Sequence, residues 1–91
     1  MKWYNKYLLA YNTSFSNKSN DIINEVRSKL KNLQSKSPLI TVSIIAYNEE
    51  KHLLACLWSL SEMECKYPIE IIGVNNDSQD KTEDIFKAVG L

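Results

Sequence analysis

Two apolar runs set the strongest limit on what this chain can fold into. Residues 39–46 read LITVSIIA and residues 69–75 read IEIIGVN, both rich in β-branched side chains. The first run is continuous and predicts a strand covered on both faces, the pattern of a parallel sheet; the second predicts another buried strand. Between them, Asn48 is placed to cap a helix running to about Met63. Glu49 and Glu50 would sit in its first turn, with Leu53, Leu54, Leu57 and Leu60 on its inner face. Lys66, Tyr67 and Pro68 end that segment. After the second run, Asp80 followed by Glu83 predicts a capped helix start. Ile85, Phe86 and Val89 would face inward, and Gly90 suits the helix end. The order strand, helix, strand, helix is a βαβ unit with one more helix, and its crossover should be right-handed. The predicted fold class is therefore α/β, a partial Rossmann-like β-α-β-α unit with parallel strands, preceded by amino-terminal helices.

Two strands are too few for a stable sheet. Either the preceding helices cover the unit, or a second copy pairs with it, or further strands belong to it. The preceding segment offers two helices. Trp3, Tyr4, Tyr7, Leu8, Tyr11 and Phe15 fall on one helical face, and an Asn/Ser-rich loop follows. Ile22, Ile23, Val26, Leu30 and Leu33 then recur at steps of three and four, which predicts an amphipathic helix over residues 21–36. Ser19 or Asn20 would cap it, Lys36 would complement its far end, and Pro38 would stop it. This divides the chain into a helical extension, residues 1–37, and an α/β part, residues 38–91.

Composition excludes several function classes. Eleven basic and eleven acidic side chains cancel, which gives nucleic acid no electrostatic reason to bind. No apolar run approaches the roughly 18–20 residues that span a bilayer, and residues 1–15 are too polar and aromatic for a signal peptide. Cys56 and Cys65 make no Cys-x-x-Cys pair, and His52 is the one histidine, so no zinc site is expected. Two free thiols, Cys56 packed within its helix and Cys65 partly exposed, fit a reducing cytoplasm. His52 reads as a surface residue.

A ligand of an open α/β sheet binds beyond the carboxyl ends of its strands. Tyr47 and Asn48 follow the first strand; Asn75, Asn76, Asp77 and Ser78 follow the second. The βαβ geometry sets these loops side by side. An aromatic ring beside amides and a carboxylate suits a base and a ribose. No glycine-rich phosphate loop is present, and Glu49 and Glu50 would repel a phosphate from the helix start. A diphosphate would need to be neutralised from elsewhere, most simply by a metal.

The segments PLITVSIIAYNEE and IEIIGVNNDSQDKT, each followed by a helix, resemble the start of family-2 glycosyltransferases, which have the GT-A fold. The resemblance covers about residues 38–90. It implies transfer of a sugar from a nucleotide-sugar donor, a UDP-sugar first among the candidates, to the hydroxyl of a saccharide or lipid-linked acceptor. By resemblance, Ile45, Ala46, Tyr47 and Asn48 would line the base site, with Tyr47 packing on the base. Asn75, Asn76, Asp77 and Ser78 would bind base and ribose, while Asp80 and Thr82 would anchor the loop and cap the helix. Ile45 stands where the family usually has proline, and Asn75 and Asn76 where it usually has at least one aspartate. An asparagine accepts through its carbonyl but also donates.

The family's Asp-x-Asp occurs nowhere in these residues. The expectation is thus an amino-terminal part of a longer enzyme, holding part of the nucleotide site and neither the catalytic base nor the metal ligands. A divalent metal, magnesium or manganese, is expected in the intact enzyme, and none in this piece alone. The aromatic, lysine-bearing amino terminus suits packing on the domain or a partner chain; peripheral contact at the cytoplasmic face of a membrane is the second expectation. A rival from another class is a non-catalytic module that forms homo-oligomers on a βαβ scaffold, with free strand edges to support it. A phospho-accepting receiver domain is a poorer third reading.

Overall fold

The computed structural model describes residues 4–12 and 20–91. Six elements follow in order: α1 (Asn5–Tyr11), α2 (Asn20–Leu33), β1 (Ile40–Ala46), α3 (Leu53–Ser61), β2 (Ile69–Asn75) and α4 (Thr82–Ala88). β1 and β2 pair in parallel from Ile40 opposite Ile69 to Ala46 opposite Asn75. The protein is thus α/β, a β-α-β-α unit with amino-terminal helices packed on it. Of the side chains expected on one face of α1, Trp3 and Phe15 lie outside the described residues, as does Ser19 before α2.

α3 is the centre of the core. Leu53, Leu54, Ala55, Leu57, Trp58 and Ser61 are all buried, against Val26 and Leu30 of α2, Ile69 and Ile71 of β2, and Ile85, Phe86 and Val89 at α4. α1 lies across α3 through an edge-to-face contact of Tyr7 with Trp58, ring centroids 5.3 Å apart. Trp58 also donates from Nε1 to Glu25 at 2.7 Å, which ties α2 to the same ring. Lys6 stands 5.0 Å from both ring centroids and pairs with Glu62 at 2.7 Å. The hydrogen bond to Glu62 raises the Lys6 pKa, and the same bond lowers that of Glu62.

The sheet is covered on one face only, contrary to the expectation of two covered faces. On the covered side lie Ala46, Ile69 and Ile71, with Val42 and Ile44 half-buried. There, a Cβ on Gly73 would come within 2.5 Å of the Phe86 ring, so α4 can lie this close only over glycine. On the other side Thr41, Ser43, Ile45, Ile72 and Val74 are exposed, Ile45 by 70%. Thr41 and Glu70, opposite each other in the register, hydrogen-bond across that open face at 2.7 Å.

The outer edge of β2 is closed by a side chain. Gln34 donates from Nε2 to the Ile71 carbonyl at 3.0 Å and accepts the Ile71 N–H through Oε1 at 2.7 Å. Its amide thereby takes the place of a neighbouring strand's peptide group. Ser35 N–H adds a bond to the Ile69 carbonyl at 2.8 Å. These bonds draw the chain out of the helix, so α2 ends at Leu33 rather than reaching residue 36, and Lys31 is the basic side chain of its last turn.

Two further boundaries and the exposure of one cysteine differ from expectation. α3 begins at Leu53, not Asn48, so Glu49 and Glu50 precede its first turn. α4 begins at Thr82, not Asp80. Cys56 is exposed rather than packed within its helix, as is Cys65. The end of α4 is as the sequence predicts. Gly90 takes φ +83°, and the N–H groups of Gly90 and Leu91 bond the carbonyls of Lys87 and Phe86, which closes the helix by a Schellman motif.

Candidate nucleotide site

The two loops beyond β1 and β2 meet and are stitched together by hydrogen bonds. Ala46 and Asn75 are register partners, and the Asn76 N–H extends the ladder to the Ala46 carbonyl at 2.8 Å. Asn48 and Asp77 both take left-handed backbone conformations, φ 51° and 57°, which short polar side chains tolerate better than others. This turn at Asn48 is why it does not cap α3. Its N–H donates instead to Ser78 Oγ at 2.9 Å, and its Oδ1 accepts the Gln79 N–H at 2.8 Å. Asn75 Oδ1 accepts the Ser78 N–H at 3.1 Å, the side-chain turn that Asx residues favour.

Thr82 and Asp80 hold the base of this knot. Thr82 is fully buried, and its Oγ1 accepts the Glu49 N–H at 2.9 Å while donating to Asp80. Asp80 also accepts the Thr82 N–H at 2.9 Å and the Glu50 N–H at 3.2 Å. Desolvation alone would raise the Asp80 pKa. The hydrogen bonds from the Thr82 hydroxyl, the Thr82 N–H and the Glu50 N–H outweigh it, and the net effect is a lowered pKa. Asp80 therefore anchors the loop, as expected, but it reaches across to the other loop as well as to α4. Thr82 is the first residue of α4 and bonds the Glu49 N–H with its side chain, a wider role than a helix cap.

Of the predicted residues, Tyr47, Asn48, Asn75, Asn76, Asp77 and Ser78 share one rim. Tyr47 is 56% exposed, with Asn76 and Asp77 also exposed and Asn75 and Ser78 half-buried. Ile45 lies on the open face of the sheet and Ala46 is buried beneath the loops. Much of the polar capacity is spent internally, since Asn48 Oδ1, Asn75 Oδ1 and Ser78 Oγ all serve the stitching.

One contact beside this rim has no signal in the local sequence pattern. His52 packs face to face on Tyr11, centroids 3.7 Å apart and 12° from parallel. Its Nδ1 lies 2.8 Å from the Tyr11 carbonyl; a carbonyl only accepts, so Nδ1 carries the proton. A separation of 41 residues leaves no local pattern that could have paired them. Beside them, Cys56 is exposed as a residue, yet its surroundings desolvate the thiol and raise its pKa.

Among the described residues, no three His, Cys, Asp or Glu side chains gather into a group that could hold a metal ion. Nor, among them, is any helix long and apolar enough to cross a membrane.

No curated protein and no solved structure gave a significant match. The family model described as glycosyl transferase family 2 matches residues 41–90, from β1 through the end of α4. That match spans more than half of the 91 residues and contains both stitched loops. The chain belongs to glycosyl transferase family 2.

Proposed function

We propose that the rim formed by Tyr47, Asn48, Asn75, Asn76, Asp77 and Ser78, together with Ile45 and Ala46 at the end of β1, contacts the nucleoside of a nucleotide-sugar donor. A UDP-sugar is the first candidate. The working enzyme would transfer the sugar to an acceptor hydroxyl. The observation that carries this reading is the stitched pair of loops at the carboxyl ends of two parallel strands, the usual ligand position in such sheets. Binding is pre-organised there because the hydrogen bonds fix both loops before any ligand arrives.

The stitching also assigns roles. Asn75 uses Oδ1 on Ser78, so it offers a ligand its Nδ2 donors, suited to a base carbonyl. Asn76 is exposed and can turn its carbonyl to a base N–H. Asp77 can accept from ribose hydroxyls. Under this reading Asn76→Asp strengthens donor binding, because a carboxylate accepts more strongly than an amide. Asp77→Gly keeps the left-handed backbone and weakens donor binding without unfolding the loop. The 91 residues contain no Asp-x-Asp, and on this reading the chain alone is expected to transfer no sugar.

Titration with uridine diphosphate and guanosine diphosphate, followed by NMR, tests the site. Amide signals of Tyr47 and residues 75–78 should move together and saturate. No movement at millimolar ligand removes the reading. The rival, a non-catalytic interaction module, draws on the exposed Ile45, Ile72 and Val74 of the open sheet face.

A further inference from the structure

Tyr11 closes α1, outside the residues that match the family, yet it borders the β1 end of the candidate site. Its ring is held face to face by His52, and its carbonyl by His52 Nδ1. His52 directly precedes α3, five positions after Tyr47. A cavity of about 310 Å³ lies at this junction, shared by Tyr11, His52 and Cys56 with Ile45, Ala46 and Glu49. That volume is at the lower end for small-molecule sites. Its walls are aliphatic and aromatic, with one carboxylate. Such a lining suits a flat, uncharged ring with an N–H on its edge, and it disfavours a phosphate, which Glu49 would repel.

We propose that α1 completes the nucleoside end of the donor pocket, with Tyr11 as its outer wall and His52 as the residue that positions Tyr11. This rests on the nucleotide-sugar reading of the same loops. It adds that the pocket draws on a helix from outside the family-matching region. It also gives the Tyr11–His52 stack a use beyond seating α1, a task for which the Tyr7–Trp58 contact already serves.

The test uses the 91-residue chain and uridine diphosphate. Tyr11 ring signals should shift with the same dissociation constant as those of Tyr47 and residues 75–78. Tyr11→Ala should weaken binding about threefold to tenfold, the range for losing one aromatic contact, while Tyr11→Phe stays close to the parent. His52→Phe, which keeps a stacking ring, should retain affinity that His52→Ala loses; equal losses in the two would show that the ring stack does not set Tyr11. A measurement without substitutions guards against α1 simply detaching in the variants. Uridine diphosphate should slow alkylation of Cys56 in the unaltered chain relative to Cys65, which lies outside the cavity. Shifts in the loops with Tyr11 unmoved and Cys56 unprotected would overturn the proposal and leave the donor reading intact. Silence of every signal at millimolar ligand would overturn both.

Discussion

Thr82 shows how one buried hydroxyl can join two loops. It is fully buried, and its oxygen serves Glu49 and Asp80 at once. Thr82→Val keeps the shape but strands the Glu49 N–H and removes a donor from Asp80. The expected loss is about 1–3 kcal/mol, read as a lower urea midpoint, with Thr82→Ser close to the parent. A Val variant as stable as the parent would refute this account of the knot. Asp80 adds a pH dependence. Its folded pKa is lowered, so its contribution is fully present above the unfolded value of about 3.9 and is lost as pH falls through the folded value. The Glu50 and Thr82 amide signals should therefore move together on acidification below about pH 4, and Asp80→Asn should abolish that step. Independent movement of the two amides would separate them from Asp80. Gly73 is the third sensitive position. Gly73→Ala sets a methyl group against Phe86 and should cost about 1–3 kcal/mol by overpacking. Thermal melts should show Phe86→Leu in the same chain recovering part of that loss.

At the scale of elements, what was legible in the sequence depended on whether the cause was local. β1 and β2 follow from their β-branched apolar runs, and the apolar faces of α2, α3 and α4 from periodicity, which burial enforces residue by residue. The meeting of the loops after β1 and β2 follows from the βαβ order. The start of α3 did not. Asn48 looks like a cap, but its left-handed turn and its bonds to Ser78 and Gln79 come from a loop 30 residues away. Asp80 was legible in part: its carboxylate bonds the Thr82 N–H that opens α4, as a cap would, but it also reaches Glu50 in the other loop. The Tyr11–His52 stack and the Gln34 amide on β2 are likewise tertiary facts without local signals. Gln34 offers a direct check. Gln34→Ala leaves the Ile71 N–H and carbonyl without their partner and should cost about 1–3 kcal/mol. It should also speed hydrogen exchange at Ile71, while the amides joining β1 to β2 change less. Unchanged exchange at Ile71 would mean the side-chain amide does not substitute for a strand.

Over the whole molecule, the two sides and two edges of the sheet are treated differently. Helices cover one face, and Gln34 and Ser35 close part of the outer edge of β2. The other face leaves Ile45, Ile72 and Val74 exposed, and β1, with no further strand beside it among the described residues, carries none of the lysines or prolines that usually discourage pairing. Two strands with one bare face are marginal in water. The expected outcome is self-association of the isolated chain, which buries this face or extends the sheet past β1. Sedimentation velocity should show a mass that rises with concentration. Ile72→Lys, which charges the open face without touching the helix-covered core, should return the chain to monomer with unchanged helix content. Ser43→Lys should act the same way from β1. A chain that stays monomeric at millimolar concentration would show that the open face is tolerated in water. It would also remove the main support for the interaction-module reading, leaving the stitched loops as the feature that defines the molecule.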